Sequence, residues 1–246
     1  MIKSINRKAF IHIATGGAAS LLIRSSGFLS SDIKIKAVAF DAFPIFDLGS
    51  IFKPIHELVP TQAKQLIEFW QFKQFSYQWL RGLAGNYKNF LDIAKDALDF
   101  TLTQSKLNLS SKEKELIMSG YDNINIWPDV VPSLQALKQE GLKICFLSNM
   151  TSKMLHRRIQ NSNIGQFVDL TISTDEKRTF KPGAEAYQMA IERLKLKKEE
   201  ILLWFGYPTF WVNRSGSLLE NLDAEPDGSG STLNDLVEFI RRHNKD

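Results

Sequence analysis

An apolar run that ends at a carboxylate constrains this chain more than any other feature. Residues 35–40, with the sequence Ile-Lys-Ala-Val-Ala-Phe, are typical of a buried β-strand, and Asp41 follows directly. Ligands of open α/β sheets bind at the carboxyl ends of the strands, so Asp41 is a candidate nucleophile. The alternative is an N-cap aspartate that begins a helix, and this segment alone favours neither interpretation.

Two further strand-like segments are also followed by chemically useful side chains. Residues 142–147 form a second apolar run, and Ser148 and Asn149 come directly after it. Residues 167–174 form a third run, and Lys181 follows at the head of an amphipathic helix. The chain therefore places an acid, a hydroxyl and an amine each just beyond a predicted strand.

This order resembles that of the haloacid dehalogenase superfamily, and six segments narrow the resemblance to the L-specific 2-haloacid dehalogenases. They extend from about Ile33 to the C-terminus and are Phe40-Asp41-Ala42-Phe43, Phe75-Ser76-Tyr77-Gln78-Trp79-Leu80-Arg81, Tyr87-Lys88-Asn89-Phe90, Leu147-Ser148-Asn149-Met150, Phe180-Lys181-Pro182 with Tyr187, and Gly206-Tyr207-Pro208-Thr209-Phe210-Trp211-Val212-Asn213-Arg214. The Tyr-Gln-Trp-Leu-Arg and Trp-Val-Asn-Arg stretches are the most specific of these matches.

The order of the elements predicts an α/β fold with a doubly wound parallel sheet, because helices and strands alternate after residue 126. The predicted elements are helix 130–140, strand 142–147, helix 152–163, strand 168–174, helix 183–195, strand 199–203, a turn-rich link at 226–231 whose Ser231 caps the next helix, and helix 232–242. We expect a Rossmann-like core of the haloacid dehalogenase type at 33–47 and 126–246. Hydrophobic residues at helical spacing predict an inserted all-helical cap at 48–125.

The composition limits the classes of partner and site. The chain has 246 residues, of which 43% are hydrophobic, enough for one domain with a full core and a smaller one. Its net charge of +4 comes from dispersed Lys and Arg, which argues against a nucleic-acid partner. The single cysteine, Cys145, excludes an intramolecular disulfide and a cysteine-based metal site. Its place in a predicted core strand indicates a buried hydrophobe, not a catalytic thiol.

The N-terminal residues have the layout of an export signal. Basic residues precede an apolar segment at 9–23, and small residues follow at 25–31. Residues 6–11, Asn-Arg-Lys-Ala-Phe-Ile, resemble a twin-arginine signal with lysine as the second basic residue, which predicts a signal at 1–31 and a periplasmic protein. The apolar segment is shorter than the ~20 residues of a stable membrane span. The alternative is an N-terminal helix of a cytoplasmic protein.

The resemblance implies hydrolytic dehalogenation of (S)-2-haloacids to (R)-2-hydroxy acids, without a metal or another cofactor. Asp41 would attack C2 of a small 2-haloalkanoate, and water would then cleave the resulting aspartyl ester. Lys181 would keep Asp41 ionised and oriented. Ser148 and backbone amides near Asp41 and Asn149 would bind the substrate carboxylate.

The resemblance also implies residues that contact the substrate, and by analogy a homodimer. These residues are Asn149, Phe43, Gln71, Phe75, Phe90 and Tyr187. Plain packing is an equal alternative for Phe75, Phe90 and Tyr187. Phe43 stands where a related phosphatase would carry a second aspartate to protonate its leaving group. A halide leaves without a proton, so Phe43 favours carbon–halogen cleavage over phosphoryl transfer.

Four departures from the family pattern bear on activity. Pro44 and Ile45 replace a Gly-Thr pair, Gln71 replaces a halide-binding arginine, and Gly183 replaces an aspartate that would cap a helix. Most seriously, the chain runs from Leu203 directly into Trp-Phe-Gly-Tyr-Pro, which omits a loop and a helix.

The shortened connection predicts an abnormal end of the sheet. Two parallel neighbours need a crossover of about a dozen residues or more, so either two strands fuse or the last strand leaves its usual place. The omitted loop carries the acid that positions the lysine and the hydrolytic water in the family. The sequence therefore predicts a dehalogenase of impaired activity, and the alternatives are an inactive relative that binds a small carboxylate and, less favoured, a phosphatase.

Overall fold

The computed structural model describes residues 33–122, 124–203, 206–221 and 225–245. These residues divide into two compact units, an all-helical cap unit at 49–122 and a core unit at 33–48 and 124–245. The predicted export signal at 1–31 lies outside the described residues.

The core unit contains a four-stranded parallel sheet. The described strands of the whole core unit are β1 (Ala37–Phe40), β2 (Phe46–Asp47), β3 (Asn125–Ile126), β4 (Lys143–Ser148), β5 (Leu170–Ser173), β6 (Ile201–Leu202), β7 (Phe210–Val212) and β8 (Gly228–Gly230). The sheet order is β5-β4-β1-β6, all parallel, while β2 and β3 form a separate antiparallel pair. The α/β fold with a parallel sheet is thus confirmed.

The helices of the described chain follow from caps and apolar spacing. They are α1 (Lys53–Leu58), α2 (Ala63–Leu83), α3 (Phe90–Gln104) and α4 (Ser111–Ser119) in the cap unit, and α5 (Val130–Gln139), α6 (Ser152–Asn161), α7 (Ala184–Leu194) and α8 (Leu233–Lys245) in the core unit. Ser110 and Glu113 cap each other's backbone N–H groups at the start of α4. No helix in the described part of the chain is long and apolar enough to cross a membrane.

Packing within the cap unit agrees with the helical spacing of its sequence. Trp70 on α2 is fully buried, and its Nε1 donates to the carbonyl of Ala94 on α3 at 2.8 Å. Ile93, Ala97 and Leu98 of α3 are buried on the face that the spacing assigns to the interior. The predicted all-helical composition of the cap is therefore confirmed.

One face of the parallel sheet packs against α7. Alternate residues of β4, Cys145 and Leu147, are fully buried together with Met189 and Ala190 of α7, as the two-residue period of a strand requires. Each large buried side chain contributes about 1.5–3 kcal/mol to folding. Burial also raises the pKa of the Cys145 thiol to about 12. Cys145 is thus a small hydrophobe of the core, as its sequence position indicates.

The last strand leaves the main sheet, which decides between the two alternatives set by the shortened connection. Strand β6 ends at Leu202, and Leu203 makes a single parallel bridge with Thr209. Strand β7 then pairs in parallel with β8 in a sheet of its own. The connection between β6 and β7 is too short for an ordinary crossover, and beyond the single bridge of Leu203 and Thr209 strand β7 pairs with β8 and not with β6.

Strand β8 corrects the sequence prediction for residues 226–231. We expected a turn-rich link there, yet Gly228–Gly230 forms a strand. A Cβ atom at Gly228 would lie 2.6 Å from the Phe239 ring, and one at Gly230 would lie 2.3 Å from the Asp235 side chain. The glycines therefore let the strand lie against α8. The local sequence pattern predicts a turn because it contains no information about this contact.

The start of α8 also differs from the prediction. Thr232, not Ser231, caps the helix, because its Oγ1 accepts from the backbone N–H of Asp235 at 3.3 Å. The Asp235 carboxylate accepts in return from the backbone N–H groups of Thr232 and Ser231. The helix begins at Leu233, one residue later than predicted.

Strand β6, at one edge of the main sheet, is shorter than predicted, because residues 198–200 form a 3-10 turn.

Candidate active site

Asp41 lies directly beyond the carboxyl end of β1. Residues 42–45 form a turn and no helix follows the carboxylate, so the N-cap alternative is wrong. One carboxylate oxygen, Oδ2, accepts a hydrogen bond from Nζ of Lys181, and the other accepts a long bond of 3.4 Å from the backbone N–H of Phe43. The side chain of Asp41 is 31% exposed, against 12% for Lys181. The less exposed Lys181 thus holds the Asp41 carboxylate, which remains accessible to a ligand.

Lys181 is fixed at both ends of its side chain. Its Nζ donates to the carbonyl of Leu147 at 2.8 Å as well as to Asp41. Its backbone N–H donates to Oδ1 of Asn149, also at 2.8 Å. Lys181 precedes α7 by three residues, and Gly183 at the N-cap offers no side-chain cap, as its sequence predicts. The ammonium group is therefore positioned by groups at the ends of β1 and β4.

Asn149 joins the loops that follow β4 and β5. Its Oδ1 accepts from the backbone N–H of Lys181 and from Oγ1 of Thr174 at 3.1 Å. Its Nδ2 donates to the carbonyl of Lys181 at 3.4 Å. The side chain thus binds protein groups, and a contact of Asn149 with the substrate stays a prediction.

Ser148 is the last residue of β4 and is 3% exposed. Its Oγ accepts from the backbone N–H of Met150 at 3.2 Å. A hydroxyl that accepts one hydrogen bond can still donate its own hydrogen. Register places Ser148 beside Ser173 of β5 and two residues beyond the Phe146 that pairs with Phe40 of β1. Ser148 and Asp41 therefore share the carboxyl edge of the sheet.

Comparison with known proteins decides the family. A family model for haloacid dehalogenase-like hydrolases matches residues 35–203. The chain belongs to this family. The matched region of this haloacid dehalogenase-like hydrolase ends at Leu203, where the connection to the next strand is shortened.

Three relatives show how close the likeness is. An (S)-2-haloacid dehalogenase from Pseudomonas sp. (strain YL) is 30% identical over 219 residues, which cover 84% of this chain and 94% of that protein. A crystal structure of an L-2-haloacid dehalogenase superposes with a TM-score of 0.82 at 30% identity and covers 85% of this chain and 99% of its own. The L-2-haloacid dehalogenase from Xanthobacter autotrophicus with chloropropionic acid covalently bound has a TM-score of 0.76 at 27% identity, covering 84% and 98%.

In this haloacid dehalogenase-like hydrolase, Tyr187 on α7 is close enough to Asp41 to feel its charge. Burial and, secondarily, the negative charge of Asp41 raise the pKa of Tyr187 far above its usual value. The hydroxyl of Tyr207 donates to the carbonyl of Tyr187 at 2.9 Å, and burial raises the pKa of Tyr207 to about 12. Tyr187 is therefore a neutral phenol that both fills the core and borders the nucleophile.

The other three predicted site residues of this hydrolase lie in the cap unit. Gln71 is half-buried on α2. The ring of Phe75 packs against Trp79 at a centroid distance of 6.0 Å, and that of Phe90 packs edge-on against Tyr121 at 5.6 Å. These contacts support the packing alternative for both phenylalanines, while their role in substrate binding stays a prediction.

Two parts of the site were missed by sequence analysis of this hydrolase. The carbonyl of Leu147 holds the ammonium of Lys181, and a backbone acceptor leaves no signal in a sequence. The sequence predicts Thr174 only as the end of a strand, whereas its buried hydroxyl donates to Asn149. Within the described ranges, no group of three or more His, Cys, Asp or Glu side chains could hold a metal ion.

Replacing Asn149 with alanine should loosen the site and destabilise the core unit. The change removes the acceptor of the Lys181 backbone N–H and of the buried Thr174 hydroxyl, so the free energy of unfolding should fall by about 1–3 kcal/mol. Denaturant unfolding measures this loss. Ser152→Ala removes an exposed hydrogen bond to Glu176 and should change stability by no more than about 0.5 kcal/mol. Equal effects of the two changes would contradict the positioning role of Asn149.

Proposed function

We propose that this chain is an (S)-2-haloacid dehalogenase that yields (R)-2-hydroxy acids. The observation that carries the proposal is Asp41 at the end of β1, paired with Lys181, whose side chain is largely buried, and still partly exposed. A carboxylate in that position is a nucleophile that can form a covalent intermediate. The names of the relatives support the substrate class.

The proposed reaction has two displacements. A carboxylate oxygen of Asp41 attacks C2 of the haloacid, the carbon–halogen bond breaks, and the halide leaves with its electron pair. Because attack is in line with departure, the carbon inverts and an ester joins it to the aspartate. Water then attacks the carboxyl carbon of Asp41, which releases the 2-hydroxy acid and a proton and restores the carboxylate. The relative with covalently bound chloropropionic acid supports the first displacement.

The neighbours of Asp41 support binding of a small carboxylic acid. Ser148 can donate its hydroxyl hydrogen at the carboxyl edge of the sheet, and Lys181 supplies a positive charge there. Phe43 offers no proton for a leaving group, which a halide does not need and an alkoxide from a phosphate ester does. Carbon–halogen cleavage therefore fits this site better than phosphoryl transfer. Mg²⁺-dependent release of phosphate from an aryl phosphate, lost in Asp41→Asn, would reverse that preference.

Chloride release from (S)-2-chloropropionate tests the proposal directly. We expect the protein to release chloride and Asp41→Asn to release none above the uncatalysed rate, because an amide is a much poorer nucleophile than a carboxylate. Ion chromatography of the reaction measures the chloride. Asp99→Asn, which changes an aspartate paired with Lys114 on the surface of the cap unit, should react as the unchanged protein does. Chloride release that persists in Asp41→Asn would exclude the mechanism.

The second displacement should be the slower one in this chain. In the family that the sequence resembles, an acid from the loop omitted here is expected to position the lysine and the hydrolytic water. Among the described residues, Nζ of Lys181 instead contacts Asp41 and the carbonyl of Leu147, which is neutral. Hydrolysis of the ester on Asp41 should therefore be slower than its formation, so the ester should accumulate during the reaction.

Mass spectrometry of the intact protein should detect this ester. After rapid mixing with (S)-2-chloropropionate and acid quenching, we expect a covalent adduct on the protein and none on Asp41→Asn. A burst of chloride equal to the enzyme concentration should precede slow turnover. Rapid turnover without an adduct would show that another group takes over the task of the omitted acid. Neither adduct nor chloride, in a folded protein, would favour the inactive relative that binds a small carboxylate.

We also propose that residues 1–31 direct the protein to the periplasm through a twin-arginine-type signal. The basic residues before the apolar segment support this location. Expression of the full chain in a bacterium, followed by cell fractionation, should give periplasmic protein, and Arg7→Gln should retain it in the cytoplasm. Cytoplasmic protein in both cases would favour the alternative location. A homodimer stays a prediction.

A further inference from the structure

The loop that follows Asp41, residues 42–45, has few backbone groups that can hydrogen-bond to other parts of the protein. Its internal bonds run from the backbone N–H groups of Ile45 and Phe46 to the carbonyl of Ala42, at 3.2 and 2.9 Å. Pro44 has no backbone N–H, so its carbonyl is the one backbone group through which this residue can hydrogen-bond to the rest of the protein. The group that binds that carbonyl therefore helps to position the loop of the nucleophile.

Arg214 binds the carbonyl of Pro44. Its NH2 group donates to this oxygen at 2.7 Å, while its NH1 group donates to both carboxylate oxygens of Asp129 at 2.9 and 2.8 Å. The side chains of Arg214 and Asp129 are each only 14% exposed. The guanidinium also lies 5.2 Å from the ring centroid of Trp127. A planar fork with a carboxylate on one arm can hold a carbonyl at a fixed place with the other arm.

Asp129 is itself fixed by the C-terminal helix. Its Oδ2 accepts from the backbone N–H of Leu233, the first residue of α8, at 2.6 Å. The neighbouring Trp127 donates its backbone N–H to the carbonyl of Ile45 at 3.2 Å. The nucleophile loop is thus bound at two adjacent carbonyls, that of Pro44 by Arg214 and that of Ile45 by the backbone of Trp127.

We propose that Arg214 is a positioning residue for Asp41, which it orients through Pro44 and not by contact with the substrate. This inference rests on the proposed dehalogenation, because its main consequence is the rate of attack by Asp41. Misplacement of a reacting group by about 1 Å can cost about 100-fold in rate. Arg214 should therefore affect the displacement step far more than substrate binding.

Arg214→Met and Arg214→Lys test this role, with Arg241→Met as the matched control. Arg241 lies on α8 and pairs with Glu140 and Glu238 at the surface. In single turnovers with (S)-2-chloropropionate, Arg214→Met should slow the maximal rate of Asp41 alkylation by about 10- to 100-fold, while the substrate concentration that gives half of that rate stays almost unchanged. Arg214→Lys, which keeps one donor for Pro44 but loses the fork, should be intermediate. The control should match the unchanged protein.

Hydrogen–deuterium exchange of the peptide that contains Ile45 and Phe46 gives a second readout that needs no activity. Both amides bond to Ala42 within the loop, so their exchange should be faster in Arg214→Met and not in Arg241→Met. If the unchanged protein neither releases chloride nor forms an adduct, the proposed function fails, and this exchange alone decides the role of Arg214. Exchange and alkylation equal to those of the control would overturn the proposal. If Arg214→Met does not fold, the same comparisons with Arg214→Lys decide it.

Discussion

The contact between the Lys181 ammonium and the Asp41 carboxylate is the interaction on which the site depends. The two residues are 140 positions apart in the sequence, and the parallel register of β1, β4 and β5 brings their loops to one edge of the sheet. A buried ammonium is costly unless several acceptors surround it. Here the carbonyl of Leu147 supplies the second acceptor, so the ends of two neighbouring strands must both be in place before the pair can form.

The same arrangement divides rigidity and access between the two partners. Asn149 fixes the backbone of Lys181, and Tyr187 of α7 is a buried phenol whose pKa the charge of Asp41 helps to raise. Asp41 is the more exposed partner, which suits a group that must reach a carbon atom of an incoming substrate. The lysine therefore acts as a fixed charge, and small movements of the loop that carries Asp41 would change the rate of its attack on the substrate.

Local sequence signals predicted the parts of this site that lie at the ends of strands. Asp41, Ser148 and Asn149 each follow an apolar run, and the structure places them at one edge of the sheet. The signals failed where a contact from far along the chain decides the structure. The Gly-Ser-Gly of β8 looks like a turn, and only the side chains of Phe239 and Asp235 explain why glycine is needed in a strand there. Likewise, Thr174 becomes part of the site only through Asn149.

The displaced strand links the shortened connection to the nucleophile. Because β7 cannot cross over into the main sheet, it pairs with β8, and the backbone N–H of Asn213 extends this pairing to the carbonyl of Gly230 at 2.7 Å. Arg214 follows immediately, so the register of β7 on β8 determines where the guanidinium reaches Pro44. Strand β8 in turn lies against α8, whose first N–H binds Asp129. The segment that lost its place in the sheet thereby carries the side chain that holds the loop of Asp41.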